Sequence, residues 1–375
     1  MAQDGCQPRR LFTPAERRPA QRFVQHGCQP GRPLKVGTDC SGLETPIAAL
    51  EEILQGRNRR IHHVFSSEND PKTLQILLHN FTPEYHYTDV TCRAMGRSCK
   101  GKQYPAADEL PSLDIYAAGF PCQPWATCGL SAGVEDARGL VWVHIFRFIS
   151  IALPRAVVLE NVKGLVSGKH KSTFETMMAL LESMEEYDWH TRLLNTEDFG
   201  VPQNRPRIYI VGIRRGHAKE PFMWPNAAAV SPQLNDFLDV DPIQSMDRLL
   251  GSLPAAGTSK RRKVLDAVEK LVDQNLNPLT TPAVCSAGNR TSCMMLNRSP
   301  CLTRGRAMDH GHWLIHRGRQ MTTREVFMLQ GLKPERWSLP ERVSEKHLRA
   351  CVGNAMSGNV IKAVLMSVLV ALGEV

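Results

Sequence analysis

Residues 113–125 read Leu-Asp-Ile-Tyr-Ala-Ala-Gly-Phe-Pro-Cys-Gln-Pro-Trp. The apolar run at 113–117, closed by a glycine, predicts a buried strand that ends at a turn. The thiol of Cys122 follows in a tight loop held by Pro121 and Pro124. An isolated cysteine is usually a small buried side chain. At the end of a strand, however, this loop favours an exposed thiolate that acts as a nucleophile.

The same pattern extends in both directions from this strand. Apolar runs at 34–38, 64–67, 113–117, 156–159 and 207–213 alternate with helical stretches at 45–54, 71–79, 139–151 and 172–184. Strands that alternate with helices of this length indicate an α/β fold, with a mostly parallel sheet and helices on both faces. Ligands bind such sheets at the carboxyl ends of the strands.

Composition divides the chain into four segments. Residues 1–33 are rich in Arg, Pro and Gln, and we expect a flexible basic tail, with a nucleic-acid-binding arm as the alternative. Residues 34–215 form the α/β domain. Residues 216–310 lose the alternation and predict a small irregular domain. Helical spacing returns afterwards, so residues 311–375 are expected to return to the first domain.

The charge balance favours a polyanionic partner such as nucleic acid. Lys and Arg total 46 and Asp and Glu total 37 in 375 residues, a formal net charge of +9. No apolar run approaches the ~18 residues of a membrane helix. The N-terminus has no signal-peptide pattern, and the 11 cysteines show no metal-like pairing. We therefore expect an intracellular, unsecreted protein with reduced thiols, no structural metal and no membrane association.

A carboxylate and two guanidinium groups occur near the ends of further predicted strands. Glu160 and Asn161 end the buried run 156–159, where partial desolvation would raise the pKa of Glu160 and let it share a proton. Arg205 and Arg207 stand at i and i+2 entering a strand, so both are expected to point to one face. Their planar donors suit a carbonyl oxygen or a phosphate. A surface Glu or helix cap, and a solvated edge-strand pair, are the alternatives.

These motifs resemble those of the DNA (cytosine-5)-methyltransferase family. The Cys122 loop is similar to the family's Pro-Cys-Gln loop, and the other blocks follow in family order from about residue 34 to 365, except in the middle domain. The resemblance implies a Rossmann-like S-adenosylmethionine-dependent methyltransferase fold. It also implies that 34–215 is the catalytic and cofactor-binding domain and that 216–310 is a small target-recognition domain.

The resemblance also implies a mechanism. Cys122 would attack carbon 6 of a cytosine that has been flipped out of the duplex. Glu160, in one block with Asn161, would hydrogen-bond the ring at N3. Arg207, supported by Arg205, would bind the O2 side, where negative charge accumulates.

The same resemblance implies a methyl-donor site and no metal. The turn after the first strand is similar to the family's first block, with three departures. Thr38 stands at the acidic position, Cys40 where the family usually has Phe, and Glu44 in place of the later Gly. The cofactor is then S-adenosylmethionine, its product is S-adenosylhomocysteine, and the expected contacts are Thr38, Asp39, Cys40, Ser41, Gly42, Leu43, Glu68, Asn69, Asp89, Val90, Pro121, Val141, Asn354 and Ala355.

The expected partner is double-stranded DNA, bound by a monomer in the nucleus of a eukaryote or the cytoplasm of a bacterium. A tRNA cytosine-5 methyltransferase on the same scaffold is an alternative, and so is a non-catalytic nucleic-acid binder. A Rossmann oxidoreductase is disfavoured because only Gly42 stands where Gly-x-Gly-x-x-Gly would be needed. The basic run Lys260–Lys263 fits a phosphate contact, a solvated loop or an import signal equally well.

Overall fold

The computed structural model describes residues 31–57, 59–94, 104–121, 137–229, 231–240, 245–288, 293–308 and 311–375. This part of the chain divides into two compact units. We call them the sheet unit (31–194, Pro206–Asn226 and Ile361–Val375) and the second unit (Asn195–Arg205 and Ala227–Val360). The limits of the two units differ from those of the four segments defined by composition, because residues 195–205 and 311–360 both fall in the second unit.

The sheet unit is built on a mostly parallel sheet. Its strands are β1 (Leu34–Asp39), β2 (Ile61–Ser67), β3 (Tyr85–Tyr87), β4 (Ile115–Gly119), β5 (Ala156–Val162), β6 (Tyr187–Asn195) and β8 (Pro206–Arg214), while β7 (Gln203–Asn204) lies in the second unit. Within the described residues the sheet has seven strands in the order β3-β2-β1-β4-β5-β8-β6. Each adjacent pair in the series β3-β2-β1-β4-β5 is parallel, whereas β8 pairs antiparallel with β5. The predicted α/β architecture is confirmed.

Helices follow the strands as the apolar pattern predicts. They are α1 (Thr45–Leu54), α2 (Pro71–Asn80), α3 (Val90–Ala94), α4 (Ala137–Ala152) and α5 (Lys171–Glu182), with α11 (Gly358–Ala371) near the end of the chain. The start of α2 shows the local cause. Asp70 accepts a hydrogen bond from the Thr73 N–H at 2.8 Å, and Pro71 opens the first turn.

The core of the sheet unit is aromatic and closely packed. Phe65 on β2 meets Phe148 of α4 edge-on at 5.4 Å between ring centroids. Gly37 on β1 makes room for this ring, because a Cβ at that position would lie 2.4 Å from Phe65. The close approach keeps β1 and β2 in contact just before both strands reach their carboxyl ends.

The second unit is more regular than its composition suggests. It contains α6 (Met246–Ser252), α7 (Ser259–Asp273), α8 (Arg304–Met308), α9 (Thr323–Leu329), α10 (Glu345–Asn354), β9 (Ala283–Ser286), β10 (Cys293–Leu296), β11 (Ser299–Pro300), β12 (His312–Leu314) and β13 (Arg319–Gln320). The expectation that 216–310 is irregular is therefore corrected. Helix α7 buries Val264, Ala267, Val268 and Leu271 at helical spacing. Lys260–Lys263 form its first turns, so they do not lie in a loop.

The described parts of the chain hold neither a single membrane-spanning helix nor a cluster of metal-ligating side chains. There, no single helix is long and apolar enough to cross a membrane, and only α10 and α11 counted together reach that limit. Among the same residues, no group of three or more His, Cys, Asp or Glu side chains could hold a metal ion.

A buried carboxylate ties several segments together at the amino-terminal end of β4. Asp114 accepts hydrogen bonds from Arg32 at 2.9 Å, from Arg155 at 2.9 Å and from the Lys35 N–H at 2.9 Å. Burial opposes ionisation, but these bonds outweigh it and hold the pKa of Asp114 below its usual value. The ionised form is therefore stabilised by folding.

Replacing Asp114→Asn should lower the free energy of unfolding at pH 7 by about 2 kcal/mol, a value discounted because the Arg32 side chain is 56% exposed. Since the folded pKa is lowered, the contribution is present above the unfolded pKa of about 4 and is lost as pH falls through the folded value. Urea unfolding from pH 7 to pH 3 should show a flatter acid dependence in the variant. Glu175→Gln, in an exposed pair with Lys171 at 3.6 Å, is the control that should change little.

Candidate active site

Carboxylates gather at the carboxyl ends of β1, β2 and β3. Asp39 is the last residue of β1, Glu68 follows β2, and Asp89 follows β3. Together with burial, which is the largest cause, these three negative charges raise the pKa of the Cys40 thiol. Arg93 opposes the shift, but the thiol of Cys40 stays neutral, and Glu68 and Asp89 keep this edge acidic.

The backbone after β1 turns through left-handed conformations. Cys40, Gly42 and Glu44 have φ of 51°, 54° and 54°. The turn brings the Gly42 N–H to Glu68, whose Oε2 accepts it at 2.9 Å, while its Oε1 accepts the Asp70 N–H at 2.9 Å. Burial raises the pKa of Glu68 even though these backbone donors oppose the shift. Glu68 thus joins the turn to the end of β2.

Asp39 has its side chain in the core. The Arg93 guanidinium forms a buried two-pronged ion pair with it, and the Tyr116 hydroxyl donates to Oδ2 at 2.6 Å. Arg93 also lies over the Phe148 ring, 3.9 Å from its centroid. The carboxylate of Asp39 is thus bonded to Arg93 and Tyr116. A ligand at this strand end would therefore contact the backbone of Asp39 rather than its side chain. Sequence reasoning missed Arg93, since one Arg in a five-residue helix carries no pattern.

The other expected donor contacts differ in exposure. Asp89 accepts the Thr91 N–H at 2.7 Å and so begins α3, which is the capping role of an Asp at this position. Val90 and Leu43 are buried, and Asn69 is exposed. Val141 is partly buried against the aromatic core, and Pro121 is exposed after β4.

Glu160 and Arg207 meet where β5 and β8 run antiparallel. In this register Val162 lies opposite Arg207 and Glu160 lies opposite Tyr209. Arg207 Nε is 3.1 Å from Glu160 Oε1, and the side chains are only 11% and 10% exposed. The ion pair is therefore shielded from bulk water, and charge–charge interactions are stronger in such a site than in water. The pair fits a site that recognises one polar edge of a flat ring.

Asn161 connects β5 to the start of the Cys122 loop. Its Nδ2 donates to the carbonyl of Phe120 at 3.1 Å, and its Oδ1 accepts the Val162 N–H at 2.8 Å. Cys122, two residues after Phe120, lies outside the described residues. Asn161 therefore acts on the backbone that leads to the thiol.

Arg205 has a different environment, within the second unit. Its guanidinium donates to the carbonyls of Leu302, of Gly353 at 3.1 Å and of Ala355 at 2.8 Å. Arg205 is buried and lies just before β8, which begins at Pro206. Its guanidinium therefore stabilises the backbone of the second unit. Of the two expected donor contacts nearby, Ala355 is buried and Asn354, which ends α10, is exposed.

Comparison with known families gives one match over most of the chain. A family model described as C-5 cytosine-specific DNA methylase matches residues 40–369. The match includes the turn after β1, the Cys122 loop, β5, β8 and the segment around Asn354.

Curated relatives are similar over parts of the chain. Type II methyltransferase M.NlaIV of Neisseria lactamica is 33% identical over 205 residues, which cover 53% of this chain and 45% of that protein. Type II methyltransferase M.HaeII of Haemophilus aegyptius is 29% identical over 261 residues, which cover 70% and 75%. The chain thus spans less than half the length of the first of these relatives.

A solved structure supports the same fold over nearly the whole chain. A mutant of DNMT2 from Spodoptera frugiperda superposes with a TM-score of 0.55 at 17% identity, covering 90% of this chain and 99% of that chain. At this identity the likeness concerns the fold alone. The architecture is a Rossmann-like methyltransferase fold.

Proposed function

The chain belongs to the C-5 cytosine-specific DNA methylase family, and from that premise we propose that it transfers a methyl group from S-adenosylmethionine to carbon 5 of a cytosine in double-stranded DNA. The observation that carries the proposal is the shielded Glu160–Arg207 pair, 3.1 Å apart on β5 and β8. Beside it on β5, Asn161 binds the carbonyl that leads to Cys122. A carboxylate and a hydrogen-bond donor for the ring thus lie next to an amide that binds the backbone leading to Cys122.

The residues at the ends of β1, β2 and β3 fit the methyl donor. S-adenosylmethionine carries a sulfonium and an ammonium, and the acidic edge around Cys40 suits both positive charges. The turn at Gly42 would hold the amino-acid end, Glu68 the ribose and the Asp89–Val90 pair the adenine. When bound, the donor supplies an electrophilic methyl group.

The protein's own groups make the cytosine reactive. We propose that the Cys122 thiolate adds to carbon 6, while the Glu160 carboxylate hydrogen-bonds the ring at N3 and stabilises its protonated form, and Arg207 binds O2. Electron density then moves to carbon 5, which becomes nucleophilic and would form a bond to the methyl group that the donor supplies. Loss of the proton on carbon 5 to a base, with departure of the thiolate from carbon 6, restores the aromatic ring.

Double-stranded DNA is the favoured substrate. The curated relatives are Type II methyltransferases, and the family model is one for DNA methylases. Neither favours the tRNA alternative, nor the non-catalytic binder. The test is transfer of a labelled methyl group to duplex DNA and to tRNA, followed by bisulfite sequencing of the DNA. Label in tRNA alone, or in neither, would refute the proposal.

Replacing Glu160→Gln should lower kcat on duplex DNA about 100-fold, since the amide keeps the size of the side chain but has no negative charge to stabilise the protonated N3. Initial rates of methyl transfer at saturating donor and DNA measure this. Asp188→Asn is the control, because its pair with Arg215 lies on the surface with both side chains more than half exposed. A Glu160 variant with the wild-type rate would remove this residue from the mechanism.

A further inference from the structure

Glu44 is a fully buried carboxylate that the proposed chemistry does not use. It stands between the turn after β1 and the first residue of α1, in a left-handed backbone conformation with φ of 54°. Non-glycine residues adopt this conformation at a cost. The side chain must therefore be held by contacts that outweigh the cost.

Those contacts join two strands of the sheet. Glu44 Oε1 accepts a hydrogen bond from the Thr38 hydroxyl at 2.6 Å and another from the Ser66 hydroxyl at 2.5 Å. Thr38 belongs to β1 and Ser66 to β2. His63, also on β2, places its Nε2 3.5 Å from the same oxygen. One carboxylate oxygen thus connects the carboxyl-terminal ends of β1 and β2.

The connection continues towards the expected donor site. The hydroxyls of Ser41 and Thr38 lie 2.7 Å apart, and Ser41 Oγ accepts the Ser67 N–H at 3.0 Å. The next residue, Gly42, donates its N–H to Glu68. Glu44 therefore controls the spacing between the backbone of the turn and the carboxylate after β2.

The other oxygen of Glu44 argues against a purely stabilising role. Oε2 is buried, and none of the described residues offers it a hydrogen bond. A buried polar atom without a partner destabilises a fold, and an apolar side chain of similar shape would pack there at lower cost. A carboxylate at this position therefore costs stability through one oxygen, while the other oxygen joins β1 to β2, which points to a positioning role.

We propose that Glu44 is a positioning residue for the methyl donor, an inference that rests on the proposed function. By accepting from Thr38 and Ser66, it holds the turn at 38–42 and Glu68 at the separation the donor requires. It does not touch the donor, since its side chain is fully buried. At the position where the family has glycine, this chain uses a carboxylate to order the donor site.

The experiment measures donor affinity and stability separately. Glu44→Ala, Glu44→Gln and Ser66→Ala are titrated with S-adenosylmethionine and with S-adenosylhomocysteine by calorimetry, and thermal unfolding is recorded for each. Glu44→Ala should raise the Kd for both ligands about 10-fold, through loss of two hydrogen bonds. Glu44→Gln should restore the Kd to within about 3-fold, because its amide oxygen accepts the same bonds. At saturating donor, kcat should stay within about 3-fold of wild type, so the change falls on KM.

Asp114→Asn is the matched control. Asp114 is equally buried, but it lies at the amino-terminal end of β4, which runs parallel to β1, and so at the opposite edge of the sheet. It should lower stability and leave the Kd unchanged. If Glu44→Ala cannot be purified folded, Ser66→Ala carries the test, with an expected rise in Kd of about 5-fold from one lost bond.

The possible results separate this inference from the proposed function. Wild-type affinity in folded Glu44→Ala and Ser66→Ala, or an equal rise in Kd in Asp114→Asn, overturns the positioning role and leaves the proposed function intact. Absence of donor binding by the wild-type protein overturns both. A rise in Kd in Glu44→Ala and Ser66→Ala that is largely absent in Glu44→Gln and in Asp114→Asn supports the inference.

Discussion

Replacing Cys122→Ser should reduce methyl transfer to duplex DNA by at least about 1000-fold, because a serine hydroxyl is far less ionised than a thiol at neutral pH. Donor affinity should stay within about 3-fold of wild type, since the carboxylates at the ends of β1, β2 and β3 remain in place. The rate is measured with a labelled donor, and the affinity by calorimetry.

A covalent trap tests the same step directly. Duplex DNA with 5-fluorocytosine at the target should form an adduct with wild-type protein that survives denaturation, because fluorine cannot leave carbon 5 as a proton does. Peptide mass mapping should find the modification on Cys122. The serine variant should form no adduct. Cys293→Ser, on β10, is the control and should keep both the rate and the adduct. An adduct on another cysteine would reject Cys122 as the nucleophile.

The Cys122 prediction draws on the sequence and on the geometry around the loop. Asn161 Nδ2 binds the Phe120 carbonyl, so the backbone entering the loop is fixed at the carboxyl end of β4. A fixed approach matters because small misplacements of a reacting group cost large factors in rate. The proposed mechanism therefore groups the Asn161 amide with Glu160, its neighbour on β5.

The sheet unit could be predicted from sequence because its signals are local. The stretch at 45–54 coincides with α1, and the run at 113–117 overlaps β4, which begins two residues later at Ile115. Strand order is different, since β1 lies between β2 and β4 through pairings between distant residues. Spacing along the chain carries no record of such pairings. Helix α7 is not predicted from the sequence, because the run of charges Lys260–Lys263 hides its start. The apolar residues that follow this run do have helical spacing.

The motifs of the proposed site could be read from the sequence, but the contacts of their individual residues could not. The order of motifs brings Glu160 and Arg207 into one site, and β5–β8 pairing puts them 3.1 Å apart. The bond between Asp39 and Arg93 joins residues far apart in sequence and could not be read from either motif. The contacts of Arg205 are equally non-local. Tertiary structure, rather than residue type, decides whether a buried polar group serves a ligand or the protein.

Arg205 and Arg207 show this difference most clearly. As a pair two residues apart, they are expected to share a face and a role at O2. In the structure Arg207 approaches the Glu160 carboxylate, whereas Arg205 donates to backbone carbonyls of the second unit. The sharing of one face is therefore corrected, because β8 begins only at Pro206. Any part that Arg205 has in turnover must act through the backbone that it holds.

Replacing Arg205→Met should destabilise the protein by about 4 kcal/mol, since the carbonyls of Leu302, Gly353 and Ala355 lose a charged donor at once. For a unit of this size, that corresponds to a fall in Tm of about 10 °C. Arg205→Lys should recover only part of the loss, because an ammonium cannot present donors in a planar fork. Thermal unfolding followed by circular dichroism measures both changes.

Arg207→Met should have the opposite balance of effects. At 15 °C, with folded protein counted by circular dichroism, Arg205→Met should keep kcat within about 3-fold of wild type, while Arg207→Met should lose about 100-fold through the missing donor at O2. The comparison per folded molecule matters, because loss of stability alone lowers the apparent rate without changing the chemistry. A normally stable Arg205→Met protein with a 100-fold lower kcat would instead assign Arg205 to the reacting ring. Equal loss of kcat in both variants would mean that the backbone held by Arg205 governs the chemistry as directly as Arg207 does.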